Sequence, residues 1–245
     1  MKYPNLILHI PHASTYIPNW DEFTDREEVA QSIDCLTDHF VDKLFHNSMQ
    51  HVEVVKFGYS RIYCDVERYF DNSKEPMFGR GMGYCYTRGV NLKGIRDVDR
   101  INLAEVNKVY WEHHANLYHA VKRLNDNDIK PLLIDCHSFS NEPYACDEDF
   151  KTGELPDFCL GYNDEKGKEI CLIMKETLEF RNYSVALNFP YSGSLVVDNT
   201  EHDSVMIEVN KRIYLNKGLT LQTDYYKIHS ALIAILEKLS AVVGD

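Results

Sequence analysis

Short, unbroken apolar runs recur along this chain, alternating with amphipathic stretches and closing on polar residues able to do chemistry. Leu6-Ile7-Leu8-His9-Ile10 reads as a buried strand, as does Leu132-Leu133-Ile134, which leads into Asp135-Cys136-His137-Ser138. The three-to-four spacing of Val29, Ile33, Leu36, Phe40, Val41 and Leu44 predicts a helix over residues 27–47. The stripe Leu103, Val106, Tyr110, Leu117, Val121, Leu124 predicts another over 103–124. Further short strands are predicted over 52–57, 61–66, 158–160, 184–188 and 205–209, and helices over 169–180 and 224–239. Residues 77–89, with several glycines, Arg80 and Arg88, read as a structured loop. Such alternation implies an α/β fold, a mainly parallel mixed sheet with helices on both faces. Ligands in these sheets collect at the carboxyl ends of strands.

Composition narrows the function classes. With 245 residues, 44% of them hydrophobic, residues 1–245 can build one sizeable core and are expected to form a single catalytic domain. The 26 basic and 38 acidic side chains leave a net charge of −12. That charge repels phosphate backbones and anionic lipid, so neither nucleic acid nor membrane is an expected partner. An anionic substrate would need a local basic pocket set against this field. No stretch approaches a membrane span, and Met1 to Asn5 followed by the short run to Ile10 lacks a signal-peptide core. Seven cysteines without a Cys-x-x-Cys pair fit reduced thiols in a cytoplasmic protein.

Three polar clusters close or sit within apolar strands: His9-Ile10-Pro11-His12-Ala13-Ser14, Asp135-Cys136-His137-Ser138, and Ile207-Glu208-Val209-Asn210. Two histidines from neighbouring strands can point at one spot, and imidazole nitrogen is a common zinc ligand. A catalytic zinc wants three protein ligands and one open position. Asp34, Asp38 and Asp42 in the first helix are candidates for the third. Against this stands a plainer alternative: a strand-end histidine is more often structural than a ligand, and no His-Glu-x-x-His helix is present. Arg61 and Arg68 flank a short segment and offer planar forks for a carboxylate, unless Asp65 or Glu67 claims them at the surface. Ser138 has no evident base partner, and Cys136 alternates away from His137 toward the core.

Taken in order, the motifs resemble those of the N-formylglutamate amidohydrolases, a branch of the zinc carboxypeptidase and aspartoacylase-like group. Ile10-Pro11-His12-Ala13-Ser14 resembles the opening Pro-His-Ser-Gly loop, and Thr37-Asp38 with Val41-Asp42-Lys43-Leu44-Phe45 the acidic motif of the first helix. Ser60-Arg61 through Asp65-Val66-Glu67-Arg68 resembles a Ser-Arg…Asp-x-Asn-Arg segment, and Ile134-Asp135-Cys136-His137-Ser138 an Asp-x-His-Ser strand end. Leu155-Pro156-Asp157 through Gly161, Asn188 with Tyr191-Ser192-Gly193, and Ile207-Glu208-Val209-Asn210 through Tyr214 complete the set. Glu67 stands where the pattern has Asn, and Ala13-Ser14 where it has Ser-Gly.

The resemblance implies a zinc-carboxypeptidase-like (phosphorylase/hydrolase-like) architecture and one divalent metal ion, Zn2+, held by His12, Asp38 and His137, with Asp34 as the fallback for Asp38. It implies Glu208 as general base, Arg61 as oxyanion donor, Arg68 as the substrate-carboxylate anchor, and Asn188 and Tyr191 as substrate-binding groups, with the Arg80 and Arg88 loop beside them. Asp135 is expected to support the strand end or orient a metal ligand. The substrate implied is a small anionic N-acyl amino acid, N-formyl-L-glutamate first among them. A related deacylase or carboxypeptidase-like peptidase would use the same chemistry. The alternative of another class is a non-catalytic binding protein, which Glu67 beside Arg68 keeps open by weakening the anion site. Manganese, iron or cobalt could replace zinc, and a homo-oligomer is compatible with the sequence.

Overall fold

The computed structural model describes residues 5–147 and 154–243. The first four residues, on which part of the N-terminal reading rests, lie outside them. Among the described residues, six strands form one sheet: β1 (Leu6–Ile10), β2 (Val52–Lys56), β3 (Leu132–Phe139), β4 (Phe158–Tyr162), β5 (Val185–Leu187) and β6 (Asp203–Asn210). Their order is β2-β1-β3-β6-β4-β5. Every neighbouring pair is parallel except β4 with β6. The expected mainly parallel, mixed sheet is present.

Among the described residues, five α-helices accompany it: α1 (Arg26–Leu36), α2 (Val41–Leu44), α3 (Leu103–Asn125), α4 (Glu165–Glu179) and α5 (Tyr225–Val243). Side-chain caps set three of their starts. Asp25, Asn102 and Asp164 accept from the backbone N–H of Glu28, Glu105 and Gly167, satisfying donors that the first turn leaves free.

The two faces of the sheet differ in kind. On one, Leu6, Leu8, Ile10, Leu132, Ile134, Cys136, Val205, Ile207 and Val209 pack under α2, α4 and α5 in the main core. Strand alternation turns the intervening residues to the other face. There Ile7 and Leu133 are covered by Leu117, Ala120, Val121 and Leu124 of α3. Farther along the same face come His9, Asp135, His137 and Glu208. The register pairs His9 with Asp135 across β1 and β3, and His137 with Glu208 across β3 and β6. A second core beneath the connection from β2 to α3 includes Phe57, Ile62, Tyr63, Cys64 and Tyr86.

Three predicted elements are corrected. The helix expected over 27–47 ends at Thr37, which is extended at φ −73°, ψ 140°. The Asp38 N–H bonds the His12 carbonyl at 2.9 Å instead of continuing the helical ladder. Phe40 then takes a left-handed φ of 62° before α2 begins. The strand expected over 61–66 is a turn: the N–H groups of Tyr63 and Cys64 both bond the Ser60 carbonyl. Its side chains are buried consecutively rather than alternately. Finally, β3 does not end at Ile134 but runs through His137 to Phe139, with all eight residues buried.

Candidate active site

His9, Asp135, His137 and Glu208 are fixed by the strand register, while loops carry the rest of the site to them. The bend after β1 brings His12 over, and the broken helix delivers Asp38. The 60–66 turn supplies Arg61 and Asp65, with Glu67 and Arg68 immediately beyond it. All of these except His9 and Asp65, which are buried behind them, line a cavity of about 750 Å³ that also includes Tyr191 and Lys211. That size suits a small ligand.

Each of the two expected ligand histidines has one ring nitrogen held by a carboxylate. His12 Nε2 lies 2.9 Å from Asp65 Oδ1, and His137 Nδ1 lies 3.1 Å from Asp38 Oδ2. The opposite nitrogens face Glu67: His137 Nε2 is 3.2 Å from Oε1, and His12 Nδ1 is 3.5 Å from Oε2. His12, Glu67 and His137 thus present donor atoms that all lie within 4.8 Å of one another. Asp38 belongs to no such group among the described residues. Its oxygens are taken by His137 and by the Ser138 hydroxyl at 3.0 Å, so it stands behind the histidine as an orienting acceptor. Burial works against the Asp38 carboxylate, but the hydrogen bond and charge of His137 outweigh it and hold its pKa below the ordinary value.

Asp65 organises the cationic side. Fully buried, it accepts from Arg61 Nε at 3.0 Å and Nη2 at 2.8 Å, from the Tyr86 hydroxyl at 2.8 Å, and from the Glu67 N–H at 3.1 Å. Burial opposes its charge, yet Arg61 and His12 keep its pKa well below the ordinary value. Arg68 lies 3.7 Å from Asp65 and 3.6 Å from Glu75, with its Nε buried and unbonded. The expectation that Glu67 weakens Arg68 is corrected, since Glu67 turns to the histidines instead.

Glu208 is buried beside His137, and its Oε2 has no hydrogen-bond partner. Burial pushes its pKa up to about 8, with the charge of His137 pulling the other way. Lys211, just past β6, donates to the Cys35 carbonyl at 2.8 Å and lines the cavity. Tyr191 also lines it, with its ring 5.9 Å from that of Phe139.

Asn188 is not brought to the cavity. Its amide bonds the backbone N–H and carbonyl of Tyr162 and accepts from the Gly193 N–H, tying a loop to β4. Arg80 donates to the Cys146 carbonyl at 2.9 Å. Asp34 offers His39 only its backbone carbonyl and does not line the cavity. Cys136 sits in the main core, and all seven cysteines are free.

Sequence reasoning named His9 only within the first polar cluster and Glu67 only as the neighbour of Arg68, and it did not place His113. Asp135 Oδ1 is 2.8 Å from His9 Nδ1, and His9 Nε2 is 2.8 Å from His113 Nε2. One signal was readable: His113 falls on the buried stripe of α3 between Tyr110 and Leu117.

These residues suit a divalent cation. Asp38, Asp65, Asp135 and Glu208 are buried, Glu67 is largely so, and the cations beside them are Arg61, Arg68 and Lys211. The buried His12 Nδ1 has no hydrogen-bond partner. An ion held by imidazole and carboxylate would satisfy it.

The model of one protein family, N-formylglutamate amidohydrolase, matches residues 5–215. The chain belongs to that family. It is accordingly an amidohydrolase-type hydrolase. Among solved structures, an N-formylglutamate amidohydrolase from Ralstonia eutropha JMP134 superposes with a TM-score of 0.83 at 19% identity, over 99% of this chain and 95% of that one. A gene product of Agrobacterium tumefaciens superposes at 0.65 with 16% identity, over 96% and 92%. These likenesses show the shared fold. No sequence match is found among curated proteins. Among the described residues, no helix is long and apolar enough to cross a membrane.

Proposed function

We propose that this family member, acting as one catalytic domain, is a zinc-dependent enzyme that hydrolyses the amide bond of a small N-acyl amino acid, N-formyl-L-glutamate foremost. The observation that carries the reading is the convergence of His12, Glu67 and His137 in the cavity, with the unpaired Glu208 carboxylate beside His137. His12, His137 and Glu67 are the proposed ligands, with Asp38 and Asp65 orienting the two imidazoles, as carboxylates commonly do behind metal-bound histidine. A bound divalent ion would lower the pKa of a water to about 7 and polarise the scissile carbonyl.

The chain's own groups do the rest. Glu208 takes a proton from the attacking water and returns it to the leaving amine, a transfer that needs a carboxylate within hydrogen-bond reach. Arg61, fixed by two bonds to Asp65 and a longer one from Nη1 to the Leu36 carbonyl, has N–H groups left over for the developing oxyanion. Arg68 holds a substrate carboxylate and so orients the amide. Tyr191 closes one wall of the cavity. The position of Glu67 between His12 and His137, and not against Arg68, supports the catalytic reading over a non-catalytic one.

The test is a panel of N-formyl-, N-acetyl- and peptidyl-glutamate incubated with zinc-loaded protein. Release of formate from the first, faster than turnover of the others, is expected. Absence of hydrolysis across the panel would overturn the proposal, and preference for the acetyl or peptidyl substrate would move it to the related deacylases or peptidases.

A further inference from the structure

Glu67 belongs to two groups of converging donors. The first is His12, Glu67 and His137, and the second is His9, Glu67 and Asp135, whose donor atoms also lie within 4.8 Å of one another. The two oxygens of Glu67 divide between its neighbours. Oε2 faces His12 at 3.5 Å, while Oε1 faces His137 at 3.2 Å and His9 at 3.7 Å. In the second group His9 Nδ1 and Asp135 Oδ1 are 2.8 Å apart. Asp135 Oδ1 also lies 3.1 Å from His137 Nε2, so the two groups adjoin.

We propose that this protein binds a second divalent transition-metal cation at His9, Asp135 and Glu67, with the Glu67 carboxylate bridging it to the ion at His12 and His137. The proposal rests on the reading above for the first ion and adds the second.

Three features favour it. The donors are one imidazole and two carboxylates, a borderline-hard set that suits zinc, manganese or cobalt. For His9 Nδ1 to ligate, its proton must sit on Nε2, and His113 Nε2 waits there at 2.8 Å to accept it. His113 is buried on α3 with its ring against Phe57, so the partner is held in place. Such a bond on the far nitrogen is the usual device for orienting a ligating histidine. Lastly, Glu67 Oε1 stands between the two groups, near His137 of one and His9 of the other, where a shared carboxylate could serve two ions ~3.5–4 Å apart that clamp both oxygens of a displacement.

The experiment counts ions. Metal-stripped full-length protein is loaded with excess cobalt(II) or manganese(II), desalted and analysed for metal, beside a His9→Gln variant checked for folding by circular dichroism. About two ions per wild-type chain and about one in His9→Gln are expected, as a two-ion site requires. In the manganese-loaded wild type, spin coupling between the ions is expected in the paramagnetic resonance spectrum. This needs no variant and so stands if His9→Gln fails to fold. One ion per wild-type chain without spin coupling overturns the second site and leaves the proposed function standing. No bound ion overturns both. Two ions in folded His9→Gln would place the second elsewhere and overturn the assignment.

Discussion

Asp38 Oδ2 accepts from His137 Nδ1 at 3.1 Å, and this bond turns the other face of the imidazole toward Glu67. The helix break at Thr37 exists, in effect, to make it. Asp38 spends its N–H on the His12 carbonyl, so one residue joins the His12 loop to His137 of β3 through backbone and side chain. Asp38→Asn should therefore keep the fold and weaken the metal. A loss of about 10–100-fold in zinc affinity is expected, the usual cost of removing such an orienting carboxylate. Competition with a chromophoric chelator measures it, and an unchanged affinity would show that the bond orients nothing.

Glu208→Gln separates chemistry from binding. The amide is nearly isosteric but cannot take a proton from water. Zinc content should stay at the wild-type level while kcat falls by about 10²–10⁴, the range for loss of a general base. Wild-type turnover in this variant would remove Glu208 from the reaction.

The same residue has a stability signature in metal-free protein. Burial raises its pKa from 4.5 to about 8, so the folded state binds its proton more tightly than the unfolded state does. Its stabilising contribution is complete below about pH 4.5 and is lost as the pH rises through about 8. Glu208→Gln cannot ionise and escapes that loss. Urea unfolding at about pH 5 and pH 8 should show the variant gaining on wild type at the higher pH. An equal difference at both would contradict the assignment.

Arg68 should act on binding more than on turnover. Its Nε is buried without a hydrogen bond, and its ion-pair partners stand at 3.6 Å and 3.7 Å, leaving donors for a substrate carboxylate. Arg68→Lys keeps the charge but loses the planar fork. A roughly 10-fold or greater rise in KM is expected, in line with a charged hydrogen bond of about 1.5–3 kcal/mol. A change confined to kcat would assign Arg68 a different part.

The sheet was legible because its strands are short apolar runs that polar residues close or interrupt. His12, His137 and Glu208 could be singled out because each follows or interrupts such an apolar run. The placement of Asp38 could not be read. Asp38 sits on a continuous helical pattern, and only tertiary bonding to His12 breaks that helix and turns its side chain behind His137. Glu67 read as a liability beside Arg68 because adjacent residues look adjacent in function, whereas the turn at 60–66 sends the two side chains to different partners. Asn188 read as a pocket residue, yet its left-handed φ of 51° and its three backbone hydrogen bonds make it a loop brace. No spacing rule distinguishes these outcomes, because each depends on where a distant strand lies.

The most direct measurement is anomalous scattering at the zinc edge from crystals of the zinc-loaded protein. A peak within bonding distance of His12 Nδ1, His137 Nε2 and a Glu67 oxygen is the expected result. A fully loaded crystal with its zinc elsewhere, and those three side chains holding none, would contradict the metal centre and the hydrolytic reading built on it.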